Sequence, residues 1–223
     1  MGNKMFLKLM MSVSVFLAAI AAGQSYAYDD GDFQIWHTEN QEFKISKDFK
    51  TTLEEEFRWG DDASDFYYHH YDGGVVWGVN KYLDLGLNYR QVYEKKKNKF
   101  KEENRPHGNA TLKWELEGFK FEDRNRIEYR HFDYQDDSWR YRNKLTIKFP
   151  WKFTKIEIQP FLADEVFVDL NDNGFSRNRF YSGLGMNFTK NIKAEVYYML
   201  QSSKSSGKWT NANVFGTKLK IAF

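Results

Sequence analysis

Arginines recur at every second position in Asp123-Arg124-Asn125-Arg126-Ile127-Glu128-Tyr129-Arg130 and again in Trp139-Arg140-Tyr141-Arg142. In an extended chain, side chains alternate between faces, so Arg124, Arg126, Glu128 and Arg130 project together. Arg140 and Arg142 join them on the same face of a neighbouring strand. Arg58, Arg90 and Arg179 have the same parity in their own segments, as do Glu54, Glu56, Glu115, Glu122, Glu157 and Glu165. A track of guanidinium groups offers paired hydrogen bonds to carboxylates or phosphates, the chemistry of an anion-selective lining. The same residues can instead satisfy one another across neighbouring strands, because charges withdrawn from water need partners. A narrow lumen can combine both, with a paired network on one wall and unpaired arginines on the other.

Other chemistries are less well supplied. Hydrolysis at an activated nucleophile needs a serine, a histidine and a polar group that orients it. His37, His69, His70, His107 and His131, with Ser138, Ser176 and Ser182, provide the residue types without a recognisable spacing. A lipid hydrolase is therefore the weakest of the functional readings, and no enzyme is expected. Asp169-Leu170-Asn171-Asp172-Asn173-Gly174 reproduces the opening of a calcium loop, but its twelfth position is Phe180 where a bidentate glutamate belongs. Asn, Asp and Gly form turns unaided, so a plain loop is expected there, and neither metal nor cofactor. Cysteine is absent, which excludes disulfides and thiolate metal sites.

Strands must position the arginine track. Leu83, Leu85, Leu87, Tyr89 and Tyr93 alternate with Asp84, Gly86, Asn88, Arg90 and Glu94; Trp139, Tyr141, Leu145, Ile147 and Phe149 alternate with Arg140, Arg142, Lys144, Thr146 and Lys148. Ala110 to Glu117 and Ile192 to Gln201 repeat the pattern. Strands are expected at 33–45, 49–59, 66–79, 82–94, 107–117, 119–131, 138–149, 154–168, 177–189, 192–202 and 209–223. Tight turns near 46–48, 80–81, 118, 150–151 and 190–191 should alternate with longer loops near 60–65, 95–106, 132–137, 169–176 and 203–208. An all-β, antiparallel up-and-down transmembrane barrel fits this ladder. Its aromatic residues cluster at strand ends, as two membrane interfaces require. Eleven segments conflict with the even strand number of single-chain bacterial barrels. Twelve strands are expected if residues 33–45 hold two short ones, and ten if that segment lies outside.

The two ends of the chain supply an address. Lys4 and Lys8 lead into the apolar run Leu9 to Ile20, and Ser25-Tyr26-Ala27 resembles a cleavage site, so residues 1–27 form a signal peptide and 28–223 the barrel. The whole chain has 33 basic and 31 acidic residues; removing Lys4 and Lys8 leaves 31 of each. That balance disfavours a nucleic-acid partner, which needs a basic excess. Mean hydropathy of −0.74 excludes a helical membrane protein but suits strands that need apolar residues only at alternate positions. Gly216, Leu219, Ile221 and Phe223 resemble the signal by which the outer-membrane insertion machinery recognises a client's last strand. Lys95-Lys96-Lys97, with Lys99 and Lys101, forms a basic loop, a solvated turn in the plain reading and a contact for lipopolysaccharide phosphates in the sharper one.

Glu103-Asn104-Arg105-Pro106, the arginine segments, Phe161-Leu162-Ala163-Asp164-Glu165-Val166-Phe167 and Arg177-Asn178-Arg179-Phe180-Tyr181-Ser182-Gly183 resemble the uncharacterised bacterial family "domain of unknown function 2490". The resemblance implies a barrel and no activity. In architecture alone the chain is also similar to small monomeric porins for acidic oligosaccharides. The expectation is a monomeric porin-like barrel of the bacterial outer membrane, passing small anionic solutes along Arg58, Arg90, Arg124, Arg126, Glu128, Arg130, Arg140, Arg142, Glu165 and Arg179. The alternative is a closed structural or assembly-related barrel with a paired Arg/Glu interior.

Overall fold

The computed structural model describes residues 30–171, 174–205 and 207–223, so the leader at 1–27 lies outside the described residues. Eleven strands follow one another: β1 (Asp32–Lys44), β2 (Phe49–Gly60), β3 (Asp65–Asn80), β4 (Leu83–Lys96), β5 (Lys99–Leu116), β6 (Phe119–Phe132), β7 (Ser138–Lys148), β8 (Gln159–Asp169), β9 (Gly174–Asn187), β10 (Ile192–Ser205) and β11 (Lys208–Ala222). Each pairs antiparallel with the next, and β1 closes the barrel on β11. Among the described residues the barrel has eleven strands, neither the twelve nor the ten expected. With an odd number, the first and last strands run the same way, so the closing pair must be parallel, from Asp32↔Ala212 to Glu42↔Ala222. The segment at 33–45 is a single continuous strand.

A parallel pair is somewhat weaker per residue than an antiparallel one, and this seam carries extra ties. Asn211 N–H donates to Asp30 Oδ1 at 2.6 Å, and Asn213 Nδ2 donates to the Gly31 carbonyl at 3.0 Å. At the other end Phe223 N–H reaches the Glu42 carbonyl at 2.8 Å, and its ring stacks on Phe43 at 4.8 Å. The terminal residue thus clamps the seam. Leu219 lies on the outer wall, but Gly216 faces inward, where any Cβ would collide with the Tyr197 ring. Gly183, opposite Tyr197 on the other side, makes room instead for the Phe161 ring and the Tyr197 Cβ. The Tyr197 ring therefore lies over Gly216, which has a packing role that the terminal pattern alone does not show.

The connections differ from expectation. One rim, here called upper, holds the start of β1 and the links that follow β2, β4, β6, β8 and β10; the lower rim holds the remaining links and Phe223. The loop expected at 95–106 is instead a tight turn at Lys97-Asn98, both with positive φ (50° and 64°), between two long strands. Its polar residues alternate as a strand does, which an apolar-period search passes over. Lys95 pairs with Asp65 at 2.6 Å and Lys96 with Glu94 at 2.8 Å, so part of the basic run is already engaged. The longest link, 149–158, lies at the lower rim, where a tight turn at 150–151 was expected; it contains Glu157, paired with Lys152 at 2.9 Å and outside any strand.

Alternation divides the residues cleanly. Outward rows carry Leu85, Leu87, Leu112, Ile127, Leu184 and Leu200, all exposed. Aromatic pairs band both rims: Trp59–Phe66, Tyr129–Trp139 and Phe175–Trp209 above, Phe49–Trp77, Trp114–Phe121 and Phe149–Trp151 below. The apolar rows have interruptions that sequence alternation passed over. Asp123, Asn125 and Asn143 face outward, with Asn143 Nδ2 donating to Asp123 Oδ1 at 2.6 Å, and Asn178 Nδ2 donates to Asp164 at 3.1 Å. His37, Glu39 and Glu55 form a second such group on the far wall, Glu39 facing Glu55 directly.

Candidate functional site

Strand parity brings all ten predicted lining residues to the inner wall. Glu128, with 0% exposure, is the hub of the upper half. Its Oε2 accepts from both Arg140 Nε and Nη2 at 2.8 and 2.6 Å, and its Oε1 accepts from Arg142 Nη1 at 2.8 Å. Glu165, 1% exposed, accepts from Arg142 Nη2 at 2.6 Å and Arg124 Nη2 at 2.8 Å, while Arg179 Nη1 lies 3.6 Å away. Arg142 therefore bridges the two buried carboxylates. Arg58 pairs with Glu56, Arg90 with Asp72 and Glu54, and Arg130 with Glu103. Single long side chains hold these charges only because their neighbours leave no water to replace a lost partner.

Aromatic rings complete the packing. The Arg58 guanidinium lies 3.6 Å from the Trp36 ring centre and 3.9 Å from that of Tyr68, a sandwich that shields its flat faces. Phe167, 1% exposed, is surrounded by Arg140, Arg142, Arg177 and Arg179 at 4.5–5.6 Å. Trp36, Phe161, Ala163, Tyr181, Met199 and Val214 form an apolar cluster beside it. Phe161, Ala163 and Phe167 escape sequence reading because β8 carries apolar side chains on both faces, so its alternation does not say which row points in. Arg105 was missed with the segment misread as a loop; it bonds Glu103 at 2.7 Å.

A cavity of about 270 Å³ runs among these groups. Fourteen lysines and arginines line it against six carboxylates. Counting also the buried Asp72, Glu103 and Glu128 behind them leaves an excess of five positive charges. The volume falls just below the ~300–1,000 Å³ of pockets for drug-sized ligands.

The candidate hydrolytic residues do not assemble. His70 and His107 are buried in the charge network, 3.5 Å from Glu54 and Asp72 respectively. His69 stacks outward between Phe66 and Tyr93. His131 Nδ1 meets Asp137 at 3.0 Å at the upper rim, where Tyr129 OH donates to the same carboxylate at 2.5 Å. These two hydrogen bonds pull the Asp137 carboxyl down to about 2. No hydrogen bond joins Ser138, Ser176 or Ser182 to a histidine among the described residues. His37 does contact an aliphatic hydroxyl, Thr217 Oγ1 at 2.7 Å, with Glu39 at 3.3 Å beyond it. Strands β1 and β11 are paired on both sides there, so their backbone donors are committed to the ladder and do not form an oxyanion hole. In the 169–174 loop, Asp169 Oδ1 accepts from Asn171 N–H, an ordinary turn bond, and Asn171 Oδ1 accepts from Trp139 N–H at the start of β7; Asp172 and Asn173 lie outside the described residues.

The fold and this interior define a class: closed β-barrels with a buried Arg/Glu network. A family model described as "Protein of unknown function (DUF2490)" matches residues 33–212, and the chain belongs to that family. No curated protein matches it.

Proposed function

We propose that this chain is a monomeric outer-membrane β-barrel that conducts small anions through a narrow, cation-rich lumen. The observation that carries this reading is the excess of positive charge lining a cavity of about 270 Å³ inside the closed barrel. A surplus of fixed positive charge in a low-dielectric channel attracts anions and repels cations. The membrane location rests on the apolar outer rows between two aromatic bands, which in water would constitute an exposed apolar surface far beyond the few hundred Å² a soluble monomer carries. The outward Asn–Asp pairs are tolerated there because each amide donates to its carboxylate neighbour. Lipid and lipopolysaccharide surround the barrel in this reading, and the outer-membrane insertion machinery engages β11, so deleting Phe223, which clamps the seam, lowers assembled yield more than it alters conduction. Neither an enzymatic activity nor a nucleic-acid partner enters it.

A sealed structural barrel is the second reading, favoured by the complete engagement of Glu128 and Glu165. Purified protein in a planar lipid bilayer separates the two. Discrete conductance steps with an anion-directed reversal potential in a salt gradient are expected. Absence of steps would establish the sealed barrel, and steps without anion preference would remove the arginine mechanism.

A further inference from the structure

Arg177 departs from the pattern of its neighbours. Arg58, Arg130, Arg140, Arg142 and Arg179 each have a glutamate within 4.0 Å. Arg177 has none among the described residues. Its Nε donates to Ser203 Oγ at 3.0 Å, a bond that fixes the plane of the guanidinium and leaves its four terminal N–H groups uncommitted. Glu94, the carboxylate lining this end of the cavity, is engaged by Lys96 at 2.8 Å. Arg179 lies two residues away on the same face, and both guanidinium groups contact the Phe167 ring, at 5.6 and 4.8 Å. An oriented fork, half-buried, open to the lumen and crowded by like charge, is more favourable with an anion than without one.

We infer that Arg177, held by Ser203 and supported by Phe167 and Arg179, is the binding site for a small oxyanion, a carboxylate or inorganic phosphate, at the upper mouth of the lumen. Two parallel N–H groups match two oxygens of such a group, and a spherical halide cannot use both equally well. The site lies where a solute entering from the upper rim first meets an unpaired guanidinium. This inference rests on the anion-attracting reading of the lumen, but the two can fail separately: binding without conductance would leave a site in a sealed barrel, and conductance without binding would leave a channel with no such site.

The test is calorimetric titration of the detergent-solubilised barrel with inorganic phosphate, with acetate, and with chloride as the spherical control. Phosphate or acetate should bind more tightly than chloride, and Arg177→Gln should weaken that binding at least tenfold. Lys208→Gln removes one charge from the same rim at an exposed position and should leave affinity within twofold. Heat-modifiable gel migration reports folding of each variant. Ser203→Ala, which frees the guanidinium without removing it, should cost about fivefold, the effect of one lost hydrogen bond, and decides the matter if Arg177→Gln does not assemble. Equal binding by wild type and both site variants, or equal loss in Lys208→Gln, overturns the proposal.

Discussion

The upper and lower halves of the lumen solve the problem of inward charge differently. Above, arginines predominate, each fork fitted to a carboxylate or stacked on a ring, and Glu128 and Glu165 are sealed from water. Below, Lys144, Lys148, Lys218 and Lys220 take over. Lys220 lies 3.6 Å from Glu195, with both side chains partly exposed, and Lys144 Nζ lies 3.8 Å from the Tyr181 ring centre. The lower mouth opens into a second cavity of about 430 Å³ bordered by Lys148, Lys193 and Lys220. Planar guanidinium groups share hydrogen bonds between two carboxylates and tolerate dehydration, whereas ammonium groups keep their water. An upper half built of arginine and a lower half built of lysine follow from that difference. In the upper half the charges are spent on one another, and in the lower half more of them remain in contact with water.

Breaking the hub should have the largest effect. Glu128→Ala leaves Arg140 and Arg142 short of their counter-charge and should cost about 3–5 kcal/mol, the usual loss when one member of a buried ion network is removed. Glu195→Ala below should cost under about 1 kcal/mol, since its partner is distant and partly solvated. Thermal migration shifts of the two variants in one detergent measure the contrast; equal shifts would abolish the distinction between the halves. Next, Arg142→Lys loses the bridge from Glu128 to Glu165 and should cost about 1.5–3 kcal/mol, the strength of hydrogen bonds between charged groups. Lys148→Arg should stay within about 0.5 kcal/mol, as substitutions away from a packed network usually do.

Lys148→Gln with Lys220→Gln should leave the melting transition nearly unchanged while reducing anion preference in bilayer recordings. Undiminished preference would shift selectivity to the arginine half alone. The smallest effect belongs to the upper rim, at the loop closed by Asp137. Its carboxyl is lowered to about 2 by Tyr129 and His131, so the order it lends the loop is fully present above the ordinary aspartate pKa of ~4 and disappears as the pH falls through about 2. Limited digestion with an acid-active protease should show residues 133–137 becoming cleavable over that fall. Asp137→Asn should abolish the step and leave the lumen untouched.

Much of the inner wall was legible from parity alone. Arg124, Arg126, Glu128 and Arg130 had to share a face, and they do. Which carboxylate each arginine takes was not legible, because Arg124 reaches across β7 to Glu165 on β8 while Arg142 is shared between two strands. The outward Asn143 and Asp164 were passed over for a related reason: each is unfavourable alone on an apolar wall and acceptable only beside its partner, which register supplies. The turn at Lys97-Asn98 lay within a charged segment whose strand character comes from pairing with β4 and β5 neighbours, not from an apolar period.

The amino-acid sequence by itself determined the all-β class, nearly every strand, and the division between an apolar outer and a charged inner face, because side-chain alternation is a local property of an extended backbone. Tertiary structure decided the strand number and the parallel seam, since closure depends on whether β1 meets β11 and not on either strand alone. It also decided which charges are neutralised. Arg177 and Arg179 are two residues apart, share a face and look alike in sequence. Only the packed barrel places Glu165 near one and leaves the other to a serine, because a charge partner is fixed by distance through the lumen and not by position along the chain.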